Sequence, residues 1–169
     1  GLVAFAGNAF LQCPLTVDDQ AFRQSVQLLD PGLIPQGGTS MATAIQTAIT
    51  AFDEETDNYK AIILMTDGED HQEGALEAAS QVQKKGCLVY TLGLGTPEGE
   101  LIQITDENGQ RSFLKDENGN TIKSRLNESL LREMAREGNG SYILMRDANT
   151  LATLYRNNLE PLPKSELSS

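Results

Sequence analysis

Two continuous apolar runs, each ending in a polar turn, constrain this chain more than any other feature: "KAIILMTD" at 60–67 and "CLVYTLGLG" at 87–95. An unbroken apolar stretch of strand length is the pattern of a strand buried on both faces of a parallel sheet. Between the two runs, residues 73–85 place Leu76, Ala79 and Val82 on one face of an amphipathic helix that stops at Gly86. Strand, helix and strand in that order require a right-handed crossover. They predict a Rossmann-like, three-layer α/β domain around a mostly parallel sheet.

The flanking segments extend this reading. "LVAFA" (2–6) and "AFLQCPL" (9–15) are two strands about a Gly7-Asn8 turn, with Pro14 marking a sheet edge. Asp18 or Asp19 caps a helix running to Leu29, with Phe22, Val26 and Leu29 at helical spacing. "DPGLIPQGG" is a loop. From Thr39 a second helix sets Met41, Ala44, Ile45, Ala48, Ile49 and Phe52 on one face. Residues 97–124 break the alternation. The near-repeats "DENGQ" and "DENGN" each carry an Asn-Gly turn signal around the extended "RSFLK", which predicts an inserted β-hairpin or small meander near 100–124. Asn127 then caps a helix that buries Leu130, Leu131 and Met134 and ends at Gly138, with Leu126 and Leu131 placed as a hydrophobic staple. "SYILM" (141–145) is a last strand, "DANTLATLYRN" a last helix and "PLPKSELSS" a polar tail. The domain is expected over 1–159, with 160–169 as a linker. Gly1 lies inside strand-like sequence, so the chain is expected to be a piece of a longer protein.

Charge narrows the partners. A formal net charge of −11 and a pI near 4.4 repel nucleic acid and anionic membrane surfaces. No apolar run approaches the roughly 20 residues of a membrane helix. Cys13 and Cys87 sit in strand-like surroundings without metal-ligand spacing, which predicts two half-buried free thiols.

"QGGTSMATA" (36–44) is the stretch with the most chemical options. A glycine-rich loop with two hydroxyls before a helix can hold a nucleophilic serine, cradle a phosphate or present an oxygen to a metal ion. "GTSMA" (38–42) copies the surroundings of the subtilase nucleophile, but that family needs Asp and His before the serine. Here the single histidine, His71, follows Ser40. The order of Ser, Asp and His is formally that of an α/β-hydrolase. Yet Asp67 and His71 share one strand end, and a proline-rich loop precedes Gly37 where a nucleophile elbow has a strand. A phosphate loop would carry a lysine, and this one has none. The metal reading draws on "MTDGED" (65–70): Asp67 ends a buried strand, where open α/β sheets place their ligands. Thr39 and Asp67 together offer a hydroxyl and a carboxylate, both suited to a hard cation.

"GGTSM" followed by "ILMTDGED" resembles the von Willebrand factor A domain, and the resemblance covers nearly the whole chain. "GLVAFAGNAFLQCPLT" resembles that family's second and third strands. The insert and "SRLNESLLREMAREGNGSYI" resemble the branch found in bacterial aerotolerance-type (Bat) membrane proteins. The resemblance implies that Thr39 and Asp67 belong to a metal-ion-dependent adhesion site (MIDAS) for Mg²⁺, or for Mn²⁺ or Ca²⁺. It also implies a protein partner that completes the coordination with a carboxylate. Ser40 lies behind the direct ligands, Glu69 and Asp70 form an acidic rim, and His71 is a surface residue.

One departure qualifies this. The family's first strand ends in Asp-x-Ser-x-Ser, which supplies further oxygen ligands, and this chain has no such motif. Gly1 falls where the second strand is already under way, so the chain resembles an A domain without its first strand and helix. Its metal site is then incomplete, with weak or absent binding. The gap between the strand holding Val3 and the one holding Ile63 is expected to drive self-association. The implied function is protein interaction rather than catalysis. The alternative is a hydrolase using Ser40 or a metal-dependent enzyme using Asp67. The implied setting is the bacterial cell membrane, with this domain periplasmic or extracytoplasmic and anchored by segments outside it.

Overall fold

The structure, a computed structural model, describes residues 1–34, 38–52, 59–70 and 73–163. The expected loop at 35–37, His71, and the end of the tail at 164–169 lie outside the described residues. At the centre is a parallel three-stranded sheet in the order β3 (Lys60–Thr66), β4 (Cys87–Gly93) and β9 (Asn139–Leu144). The helix α3 (Ala75–Lys84) connects β3 to β4, and α4 (Glu128–Glu137) leads into β9. This is the βαβ arrangement that the two apolar runs require.

One face of the sheet holds the main core. Ile62 and Leu64 of β3 and Val89 of β4 pack against Met41 and Ile45 of α2 (Met41–Thr50), Ala79 and Val82 of α3, and Leu131 and Met134 of α4. The other face is covered only in part. Leu154 of α5 (Ala148–Leu154) closes over Tyr90 and Leu92 of β4, with Ile143 alongside. On β3 only Ala61, among the described residues, packs against that cluster, and further along the strand Ile63 is 37 % exposed and Met65 41 %. The sequence pattern predicts a strand buried on both faces, and for β3 this fails on one face. The alternation along β3 from buried to exposed residues follows from the helix layer stopping at β4.

Helix boundaries follow local chemistry. The Asp18 carboxylate accepts from the N–H groups of Gln20 and Ala21, starting α1 (Asp19–Gln27). Asn127 accepts from Leu130 N–H at the start of α4, and the staple residues Leu126 and Leu131 are both buried in the main core. Asp147 and Thr150 form a reciprocal capping box for α5. The second helix begins at Met41 rather than Thr39, because Ser40 is its cap.

The amino-terminal strands β1 (Leu2–Phe5) and β2 (Ala9–Cys13) pair antiparallel with each other. Among the described residues they form a separate two-stranded sheet, and β1 makes no ladder with β3. These strands and β3 all pack on α2, and an apolar groove of about 380 Å³ lies between β1 and β3, lined by Val3, Phe5, Ile63, Met65, Ile45 and Ala48. The chain therefore does not close this gap by direct pairing.

The insert is two short ladders. The strand β5 (Glu100–Leu101) pairs with β8 (Lys123–Ser124), and β6 (Gln103–Thr105) pairs with β7 (Arg111–Phe113). Both predicted turns form: Asp106 accepts from Asn108 and Gln110 N–H, and Asp116 from Asn118 and Asn120 N–H. Cys13 and Cys87 are free, and both are buried more completely than the sequence implies.

Candidate functional site

The loop before α2 and the loop after β3 meet at the carboxyl end of the sheet. Asp70 Oδ1 lies 3.5 Å from the Met41 N–H, so a carboxylate of the second loop faces the positive end of α2. Gly38 takes a φ of 99°, and Thr39 follows half-buried. Its hydroxyl has no hydrogen-bond partner among the described residues.

Ser40 is different. It is fully buried, its N–H donates to the Ala6 carbonyl at 2.8 Å, and its Oγ lies 2.7 Å from Thr43 Oγ1 and 3.4 Å from Thr43 N. The hydroxyl starts the helix, and the main-chain N–H ties that start to the turn after β1. In this position Ser40 is a cap, with its oxygen turned away from solvent.

Asp67 directly follows β3, and both its carboxylate oxygens and its main-chain carbonyl accept hydrogen bonds. Oδ1 accepts from Glu69 N–H at 3.0 Å, Oδ2 accepts from the Ser124 hydroxyl at 2.6 Å, and the main-chain carbonyl accepts from Asn127 N–H at 2.7 Å. Gly68 makes this approach possible. Its φ of 79° lies in the left-handed region, and a Cβ there would come within 2.9 Å of the Asn127 carbonyl oxygen. The first turn of α4 is anchored in turn to β9. The Tyr142 hydroxyl donates to Glu128 Oε1 at 2.8 Å, and the Arg132 guanidinium lies 4.6 Å from the Tyr142 ring centroid. Burial, together with the hydrogen bond and negative charge of Glu128, pushes the Tyr142 hydroxyl up to about 12.

The structure thus brings Thr39, Asp67 and Asp70 to one end of the sheet, leaves Ser40 out as a ligand and adds Ser124. Glu69 is exposed, as a rim residue should be, and His71 lies outside the described residues. The donors are all hard oxygens, which fits Mg²⁺, Mn²⁺ or Ca²⁺ in kind. They are few, however. Among the described residues no group of three or more His, Cys, Asp or Glu side chains could hold a metal. Thr39 and Asp67 are the side chains that would hold one.

Comparison with known proteins decides the family. The family model for the von Willebrand factor type A domain matches residues 1–157. This chain belongs to the von Willebrand factor type A family. The A domain is similar to an aerotolerance-related membrane protein from Bacteroides fragilis, at 37 % identity and a TM-score of 0.84 over 91 % of this chain and 75 % of that one. It is also similar to the conserved hypothetical protein BatB from Bacteroides thetaiotaomicron, at 38 % identity and a TM-score of 0.81 over 88 % of this chain and 71 % of that one. A UPF0353 protein from Mycolicibacterium paratuberculosis is 30 % identical in an alignment of 110 residues that covers 59 % of this chain. The match spans about a third of that relative's length (33 %). Proximal thread matrix protein 1 from the mussel byssus, solved with a zinc-occupied MIDAS motif, shares the fold at 17 % identity and a TM-score of 0.61, over 92 % of this chain and 32 % of that one. No helix among the described residues of this A domain is long and apolar enough to cross a membrane.

Proposed function

We propose that this A domain is a cation-dependent protein-interaction module of an aerotolerance-type membrane protein. One observation carries the reading: the uncommitted Thr39 hydroxyl stands beside a loop whose Asp67 carboxylate is held rigidly at the carboxyl end of β3. A divalent cation in such a site supplies an open coordination position for an incoming carboxylate. Thr39 and Asp67 would hold the cation, Asp70 and Glu69 would concentrate it, and the partner would present an acidic side chain. Similarity to an aerotolerance-related membrane protein supports a place at the bacterial cell membrane; the extracytoplasmic side is part of the proposal. The rival hydrolase reading asks for an exposed nucleophile, whereas Ser40 is buried against Thr43.

The test is titration calorimetry of the chain with Mg²⁺. With two protein ligands in place, affinity should be millimolar or weaker and should vanish in Asp67→Ala. Micromolar affinity that survives Asp67→Ala would overturn the assignment.

A further inference from the structure

We infer that Ser124 is a positioning residue for the Asp67 carboxylate, and that through it the 100–124 insert is coupled to cation binding at the site. The inference rests on the cation reading proposed above. A carboxylate on one side-chain bond can rotate freely unless both oxygens are engaged. Here Glu69 N–H fixes Oδ1 at 3.0 Å and the Ser124 hydroxyl fixes Oδ2 at 2.6 Å. The second distance is that of a short, charge-assisted O–H···O⁻ bond. Each oxygen keeps a further lone pair, so the clamp sets the plane of the group without using up its capacity to bind a cation.

The clamp is built from the insert's exit. Ser124 lies in β8 opposite Glu100 of β5. Two residues on, Leu126 N–H donates to the Thr96 carbonyl at 3.0 Å, and Asn127 N–H donates to the Asp67 carbonyl at 2.7 Å. Asp67 is therefore gripped by side chain and main chain of one short segment. Beyond that segment the insert is thin. Its inner apolar residues Ile102, Leu114 and Ile122 are only half-buried, and its remaining residues between 100 and 123 are exposed. Such a segment opens at low free-energy cost. Any ligand that alters the Asp67 carboxylate is felt by the insert's base, and by linkage anything that moves the insert alters cation affinity equally.

The experiment follows Mn²⁺ binding to the 169-residue chain by water-proton relaxation, alongside amide hydrogen exchange of residues 100–102 and 122–127. Ser124→Ala should weaken Mn²⁺ by roughly tenfold, the low end for loss of a hydrogen-bonding partner of a metal ligand. Ser124→Thr, which keeps the hydroxyl and suits a strand, should restore affinity. Saturating Mn²⁺ should slow exchange at the insert's base in the parent and in Ser124→Thr, but not in Ser124→Ala. If Asp67→Ala abolishes binding while Ser124→Ala matches the parent, the positioning role is overturned and the cation reading stands. If the parent and Asp67→Ala relax water alike, the cation reading falls and this inference falls with it. Weakened binding in both Ser124→Ala and Ser124→Thr would mark general damage to the loop and would also overturn it.

Discussion

Ser40→Ala is the sharpest probe of how the loop before α2 works. The substitution removes one buried oxygen and leaves almost no cavity, so the cost comes from polar contacts rather than packing. Two contacts are lost: the cap bond to Thr43 N–H at 3.4 Å and the hydroxyl pair with Thr43 Oγ1 at 2.7 Å. A serine cap is worth about 1 kcal/mol. The 3.4 Å cap bond is long and belongs below that value, whereas the hydroxyl pair is short and part-buried, and losing it costs roughly a further 1 kcal/mol. Together the loss should be about 1.5–2 kcal/mol, or about 3–8 °C in Tm for a domain of this size. Urea unfolding followed by far-ultraviolet circular dichroism measures it. The cycle with Thr43→Val assigns it, since the double variant should be little worse than either single one if the hydroxyl pair carries most of the energy. A loss below ~0.5 kcal/mol, or fully additive single losses, would refute the capping account.

Two further outcomes follow from other parts of the molecule. Burial raises Cys87 to about 11 and, with Glu128, raises Tyr142 to about 12, so both groups ionise in the unfolded chain first. The stability they lend is fully present below pH 9 and is lost progressively between about pH 9 and 12; urea midpoints should fall across that window, and Tyr142→Phe should flatten the part above pH 10. The groove between β1 and β3 leaves apolar strand surface open, so sedimentation at micromolar concentration should show dimers or larger species; a clean monomer would refute this.

Signals confined to one segment were legible in the sequence. The Asn127 cap, the Leu126–Leu131 staple and both Asn-Gly turns involve residues within a few positions of one another, and each forms as its pattern predicts. The crossover strands were legible as strands, but their exposure was not. "AIILM" and "LVYTL" look alike as apolar runs. What separates them is α5, which covers Tyr90 and Leu92 and stops short of Ile63 and Met65, and no local pattern encodes where a later helix ends. Ser40 was visible as a hydroxyl near a helix start, but its role as a cap depends on the helix beginning at Met41 and on the Thr43 hydroxyl beside it. Ser124 was illegible for a physical reason: an insert with its own turns separates it from Asp67, and they meet once the ladder of β5 with β8 closes and Leu126 and Asn127 bond back to Thr96 and Asp67.

The separation of the β1–β2 hairpin from the central sheet bears on cooperativity. A strand within a sheet unfolds with its neighbours because they share a ladder; β1 shares its ladder with β2 alone. Links from this hairpin to the rest include packing on α2, with Phe5 and Ala9 against the main core, and the Ser40 N–H bond to the Ala6 carbonyl. The hairpin and α1 can therefore melt as a sub-global unit while β3, β4 and β9 stay folded. That unit is bonded through the Ala6 carbonyl to Ser40, the residue next to Thr39. Its melting would release the first ligand loop before the second, so the two halves of the site differ in how long they survive as stability declines.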